Sequence, residues 1–293
     1  MDRLIILIVL FCLPVTNTQK VLVYNSKYGH SHSNFLGNIA DILVDAGMDV
    51  TSLIPEIYPP FADGTKKSTI IKIPGDPVAV EIWDQGFFQG DSSQLFLGPS
   101  FDPLSTNLFI GILEAGFTGQ CNATINHPGL IEKLTKEKFD IVISENFDHC
   151  GHGIFHLIKA KSFISVSSTT IIDWQAYEVG VPLIPSSVPG VFSDIMRYDG
   201  SIVERAWNMF AIACNCYYYD RLEKHMHDMF KQNYGEDFPT MRSITEQAAF
   251  VFTNTDPFVD YARPSLRKVV DLGGIGVRKP KPLEKVTNMS MNF

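Results

Sequence analysis

Two short segments hold ionisable side chains at positions suited to moving a proton. His30 and His32 lie in the polar run Asn25-Ser-Lys-Tyr-Gly-His-Ser-His32, directly after the apolar stretch Lys20-Val-Leu-Val-Tyr24. Glu145 and Asp148 follow a second apolar stretch, Lys138-Phe-Asp-Ile-Val-Ile-Ser144. An imidazole with a carboxylate on one ring nitrogen has a fixed tautomer, and its other nitrogen is free to take a proton from a substrate hydroxyl. This is the base and its orienting partner of a triad, with the substrate supplying the nucleophile. The chemistry requires that the two apolar stretches lie side by side.

The elements around them fit that requirement. Residues 20–54 read as a strand, a helix and a strand. The apolar run Lys20–Tyr24 suits a parallel strand buried on both faces. Phe35, Leu36, Ile39, Ala40, Leu43 and Ala46 recur at helical spacing, with Ser31 or Ser33 as the expected cap and Gly47 as the stop. Asp49–Ile54, Thr69–Ile73, Lys138–Ser144, Ser162–Val166 and Ala249–Thr253 read as further strands. Ile154–Ile158 reads as helix. Ile202, Val203, Ala206, Met209, Phe210, Ala213 and Tyr217 mark the apolar face of a long helix reaching Phe230. Alternation of this kind predicts an α/β fold, a parallel sheet with helices on both faces. In such folds ligands bind at the carboxyl ends of the strands, where His30, His32, Glu145 and Asp148 fall.

Other features set bounds. The loop after the first strand lacks the G-x-G-x-x-G of a dinucleotide cradle, so NAD-dependent chemistry is not expected. A net charge of −8 without a Lys/Arg block argues against nucleic acid as a partner. His149-Cys-Gly-His152 with His156 raises a metal site, but no fourth ligand is identifiable and no metal is assigned. His225 and His227 read as surface. Residues 1–18 read as a secretory signal peptide: Asp2-Arg3, an apolar run Leu4–Leu13, Pro14, then Thr16-Asn17-Thr18. No later stretch is long enough to span a membrane, so no transmembrane anchor is expected in this chain. Cys121, Cys150, Cys214 and Cys216 lie outside the signal. They allow three pairings, and the reading taken is buried free thiols. Asn122-Ala-Thr124 and Asn288-Met-Ser290 are glycosylation sequons. Residues 55–127 are rich in aromatics, among them Trp83, Phe87, Phe88, Phe96, Phe101, Phe109 and Phe117, suited to lining an apolar pocket.

Four stretches together resemble the animal UDP-glycosyltransferases, also called UDP-glucuronosyltransferases, of nematode type. They are Gly29-His-Ser-His-Ser-Asn-Phe-Leu-Gly37 leading to Ala46-Gly-Met-Asp-Val-Thr51, and Phe139-Asp-Ile-Val-Ile-Ser-Glu145 with Gly153-Ile-Phe155. The third is Gly180-Val-Pro-Leu-Ile-Pro-Ser-Ser-Val-Pro-Gly190. The fourth is Phe252-Thr-Asn-Thr-Asp-Pro-Phe-Val-Asp260 running to Val270-Asp-Leu-Gly-Gly-Ile-Gly276.

The resemblance implies the N-terminal, Rossmann-like domain of a GT-B fold, which binds a small lipophilic acceptor, here over residues 19–278. Counting back from the Gly that ends the first helix, it places the catalytic base on His32. The orienting carboxylate falls on Glu145, where the family has Asp. Phe87, Phe88 and Phe109 become acceptor-binding candidates. The family's UDP-sugar is held by a C-terminal domain carrying Trp-x-Pro-Gln and His-Gly-Gly stretches. Neither occurs here, and residues 279–293 form a divergent tail. The expectation is therefore an acceptor side with a catalytic base and no site for the UDP-sugar donor or another cofactor, inactive by itself. The alternative is a lipophile-binding or regulatory partner of full-length family members. The expected location is the secretory pathway, in the endoplasmic reticulum lumen or secreted.

Overall fold

The computed structural model describes residues 18–85, 102–193 and 199–277. Its centre is a seven-stranded sheet in which every strand pairing is parallel, with the order β3-β2-β1-β4-β5-β6-β7. The strands are β1 (Lys20–Tyr24), β2 (Asp49–Pro55), β3 (Thr69–Ile73), β4 (Ile141–Glu145), β5 (Ser162–Ser167), β6 (Phe250–Thr253) and β7 (Val269–Asp271). The chain moves outward from β1 to β3, then returns to pair β4 on the other side of β1. This reversal is the topological switch point of a doubly wound sheet, and it opens a crevice at the carboxyl ends of β1 and β4.

Alternation along the central strands assigns each side chain to a layer. Val21, Val23 and Ile143 join Phe35, Leu36, Ile39 and Ala40 of α1 (His30–Asp45) in one core cluster. Leu22, Tyr24 and Val142 point the other way, into the larger core. That core is built by α2 (Pro77–Trp83), α3 (Pro103–Ile125), α4 (Leu130–Glu137), α5 (Cys150–Ile158), α7 (Ile202–Tyr234) and α8 (Met241–Thr245). The short α6 (Asp173–Val179) adds Ala176 and Val179 to a third cluster with Val181 and Val251. Each fully buried Val, Leu or Ile contributes about 1.5–3 kcal/mol by leaving water, so the strands next to the crevice are the most firmly held.

Local details differ from the sequence reading in four places. Helix α1 begins at His30, two residues earlier than a Ser31 cap and four earlier than a Ser33 cap would place it. Its N-cap is Gly29 without a side-chain cap bond, and Ser33 is buried within the first turn. Cys121 and Cys150 form a disulfide with a Cα–Cα distance of 5.5 Å, so the reading of four free thiols is corrected. The bridge ties α3 to the first residue of α5, whereas Cys214 and Cys216 remain free and half-buried. The long helix α7 is present, but its buried face is not the apolar stripe read from the sequence. Ile202, Val203, Met209, Phe210 and Tyr217 are exposed, while Asn208, Ala211, Ile212, Asn215, Tyr219 and Leu222 are buried. The reason is a polar obligation: the Asn208 amide donates to Pro185 O and Val188 O and accepts from Gly190 N, which holds the proline-rich passage onto the helix. The fourth difference is the aromatic-rich region, in which the sequence reading assigns no helix and the described residues carry α2 and the 23-residue α3.

Candidate active site

The switch point brings together the two segments singled out from the sequence. His32 sits in the first turn of α1, just beyond β1, and Glu145 is the last residue of β4. β1 and β4 are neighbours in register, with Tyr24 opposite Ser144, so the residues that follow share one crevice. His32 Nδ1 lies 2.8 Å from Glu145 Oε1 and 2.9 Å from Oε2. The Glu145 side chain is only 3% exposed, against 18% for His32, so the imidazole is the partner with access to solvent.

The carboxylate has further donors. Ser168 N–H donates to Glu145 Oε1 at 2.9 Å, and the Tyr28 hydroxyl donates to Oε2 at 2.8 Å. The Tyr28 and Ser168 hydroxyl oxygens also lie 2.7 and 2.6 Å from His32 Nδ1. Burial pushes the Glu145 carboxyl up, but the facing His32 imidazole and the Ser168 hydrogen bonds outweigh it and hold it below the usual carboxylate range. An ionised carboxylate only accepts hydrogen bonds, so the ring nitrogen facing it must carry the proton. In the neutral ring that leaves Nε2 as the acceptor, the form a general base needs.

Packing holds the ring in place. Phe147, two residues past Glu145, meets the His32 ring edge to face at 5.3 Å, and Tyr28 packs beside it at 4.5 Å. Tyr28 is itself seated on Phe117 at 4.9 Å and Trp83 at 6.0 Å, and Trp83 Nε1 donates to Tyr28 O. Burial and the Glu145 charge raise the Tyr28 phenol well above its usual range, so it remains a donor. Gly29 completes the arrangement: a Cβ there would stand 2.6 Å from His32 Cδ2, so only glycine leaves room for the ring. Phe147 also faces Trp174 at 5.7 Å, and Trp174 stacks on Tyr219 at 3.9 Å and on Phe192 at 5.7 Å. His32 therefore stands at the edge of a largely buried aromatic cluster.

The other sequence candidates are placed elsewhere. His30 is exposed and pairs with Asn34 and the Phe61 ring. Asp148 turns to the opposite layer, where it accepts from Tyr24 OH and Cys150 N; burial raises its carboxyl. His149 pairs with Glu178 at 3.1 Å and meets the His152 ring edge to face at 5.1 Å; His152 also contacts Thr245 Oγ1 at 2.9 Å, and His156 is exposed beside Phe238, so the three do not share one site. His225 is exposed beside Glu114, and His227 donates from Nε2 to Phe238 O. Among the described residues no group of three or more His, Cys, Asp or Glu side chains is arranged to hold a metal. Phe109 is partly buried against the main core on α3. Phe87, Phe88, Asn288, residues 1–17 and the 279–293 tail lie outside the described residues. Asn122 is exposed on α3, where its Oδ1 accepts from Asn126 and Asn233. No helix among the described residues is long and apolar enough to cross a membrane.

Sequence reasoning missed Tyr28, Phe147 and Ser168. The signal for each was position. Tyr28 shares the loop after β1, Phe147 follows β4 and Ser168 follows β5, all at carboxyl ends of strands.

Fold and site together define a Rossmann-like α/β domain with an oriented histidine at its switch point. The family profile described as "UDP-glucoronosyl and UDP-glucosyl transferase" matches residues 19–292, and the chain belongs to that family. It is 29% identical over 266 residues to a putative UDP-glucuronosyltransferase of Caenorhabditis elegans, ugt-48, covering 90% of this chain and 50% of the relative. It is 28% identical over 299 residues to human UDP-glucuronosyltransferase 3A2, covering 99% of this chain and 54% of the relative. The chain spans about half the length of the curated relatives it matches. Among solved structures, it is similar to Phytolacca americana UGT2 complexed with UDP-2fluoro-glucose and pterostilbene. That likeness has a TM-score of 0.42 and 12% identity, over 88% of this chain and 54% of the other.

Proposed function

We propose that residues 19–278 form the acceptor-binding side of a UDP-sugar-dependent glycosyltransferase, with His32 as catalytic base and Glu145 as its orienting carboxylate. The observation that carries this reading is the 2.8 Å contact from His32 Nδ1 to a buried Glu145, which leaves Nε2 as a free acceptor at the switch point. Nε2 takes the proton of an acceptor hydroxyl. The hydroxyl oxygen attacks the anomeric carbon of the sugar, the bond to UDP breaks, and configuration inverts. The resulting imidazolium is stabilised by Glu145. A flat, lipophilic acceptor suits the partly buried Phe147 ring beside His32.

The loop between β1 and α1 has no glycine-rich phosphate cradle. UDP positioning is therefore assigned to sequence other than these residues, and the 293 residues alone are expected to transfer no sugar. Residues 1–18 are proposed to direct the chain to the secretory pathway, where Asn122 and Asn288 are candidate glycosylation sites. A second reading, a lipophile-binding or regulatory partner of full-length family members, is supported by Leu104, Leu108 and Tyr217, which lie exposed on the paired helices α3 and α7.

The test is binding of labelled UDP-glucose and UDP-glucuronate, and of a panel of phenols and steroids, to the purified chain. Phenol or steroid binding without UDP-sugar binding is expected. UDP-sugar binding would overturn the division of labour, and failure to bind any lipophile would overturn the acceptor assignment. Co-purification with a full-length relative would favour the second reading.

A further inference from the structure

The contacts around Glu145 are more specific than a His–carboxylate pair requires. Both carboxylate oxygens straddle His32 Nδ1, at 2.8 and 2.9 Å. Each is also tethered from its far side by a different element: Oε1 by Ser168 N–H at the end of β5, Oε2 by Tyr28 O–H from the β1 loop. A carboxylate held at one oxygen can pivot about its last torsion, which is broad for Glu. One held at both cannot. The Ser168 hydroxyl closes the remaining side, 2.6 Å from Nδ1.

Tyr28 is fixed independently of the histidine. Its ring is wedged between Phe117 and Trp83, and its backbone carbonyl accepts from Trp83 Nε1. Ser168 is fixed as well: it is buried, and its carbonyl accepts from Asn254 Nδ2 beyond β6. The two tethers thus come from rigid parts of the fold on opposite sides of Glu145. A longer carboxylate side chain has one more torsion to restrain than Asp, and this pair restrains it.

We propose that Tyr28 and Ser168 are positioning residues that clamp the Glu145 carboxylate and, through it, hold His32 with Nδ1–H inward and Nε2 outward. The proposal deepens the reading of His32 as base and rests on it for its functional meaning. Its structural content is testable without any transfer activity.

The test is solvent exchange of the His32 Nδ1 proton, followed by NMR on the purified chain with 15N-labelled histidine. Tyr28→Phe keeps the ring that packs on Phe117 and Trp83 and removes only the hydroxyl. Its Nδ1 proton is expected to exchange about tenfold faster than in the parent, the equilibrium effect of one lost hydrogen bond to a charged group. Ser168→Ala keeps the N–H tether to Oε1 and removes the hydroxyl 2.6 Å from Nδ1, so exchange is expected to quicken in the same direction. This variant keeps the test decisive should Tyr28→Phe lose its native pattern of backbone amide protection. Amide protection in β1 and β4 should not change in either variant, which separates positioning from a general loosening of the fold. Exchange within twofold of the parent in a folded variant would overturn the proposal, as would an Nε2–H tautomer in the parent. Transfer assays on His32 variants test the catalytic reading separately, so either idea can fail without the other.

Discussion

Glu145→Gln isolates the charge of the orienting residue. Gln keeps the volume and one acceptor oxygen. Ser168 N–H cannot rotate, so it takes the amide oxygen at the Oε1 position, 2.9 Å away. The amide NH₂ then occupies the Oε2 position, 2.9 Å from His32 Nδ1, where two N–H groups would oppose each other. Nδ1–H keeps its 2.8 Å contact to the amide oxygen, but the facing NH₂ weakens this tautomer against the Nε2–H form, the wrong one for a base. The charge also matters after proton transfer. The imidazolium and the carboxylate stand with charge centres about 4 Å apart. At an effective dielectric of about 20, their attraction is about 4 kcal/mol. Removing it raises the barrier enough to slow transfer about 10³-fold. The assay is sugar transfer to a phenol by a chimera joining residues 19–277 to the C-terminal half of a full-length relative. A Glu145→Gln chimera within tenfold of the parent would refute the orienting role.

Three further outcomes follow from the same geometry. Gly29→Ala should slow transfer by about 10- to 100-fold, because its Cβ forces the imidazole to shift by a substantial fraction of an ångström. Its thermal stability should barely change, since a φ of −148° suits alanine. Replacing Cys121 and Cys150 by Ser opens a bridge between residues 29 apart and should lower stability by roughly 3–4 kcal/mol in urea unfolding. The third concerns pH. Burial, aided by the nearby His149, holds the His152 imidazole well below its usual range. A depressed folded-state pKa contributes stability above the unfolded value of about 6.5 that is lost as pH falls. Below pH ~6.5 this one group should cost up to about 1.4 kcal/mol per pH unit, until pH reaches its folded value. His152→Asn, which preserves a donor toward Thr245, should flatten that acid limb in unfolding curves measured between pH 5 and 7.

Much of the fold was legible because buried parallel strands announce themselves as apolar runs. Lys20–Tyr24, Asp49–Pro55, Thr69–Ile73 and Ser162–Ser167 match their readings to within a residue. β7 was not seen, since Val269-Val-Asp271 is three residues long and only partly buried. α3 was hidden because apolar residues, small residues and the glycines at 111, 116 and 119 are spread all around it, leaving no stripe. Yet its start was written in Asp102-Pro103, an N-cap followed by proline at the first helical position, and α2 starts the same way at Asp76-Pro77. The α7 face was misread because periodicity ranks apolar residues above asparagines, and here Asn208 and Asn215 face inward. In the site, His32 and Glu145 were found by residue type and place in the chain. Tyr28, Ser168 and Gly29 were not, because hydroxyls and a missing methyl group carry no signal until the strands that bring them together are in register.

The most direct measurement is transfer of labelled sugar from UDP-glucose or UDP-glucuronate to a phenol by the same chimera, comparing the parent with His32→Ala. Phenol binding is measured on both proteins. Retained phenol binding with transfer lost by at least 10³-fold is expected, since a base is removed and the Phe147 ring is left in place. Transfer by His32→Ala at a rate near that of an active parent would show that the proton leaves by another route. The histidine at the switch point would then be a structural residue.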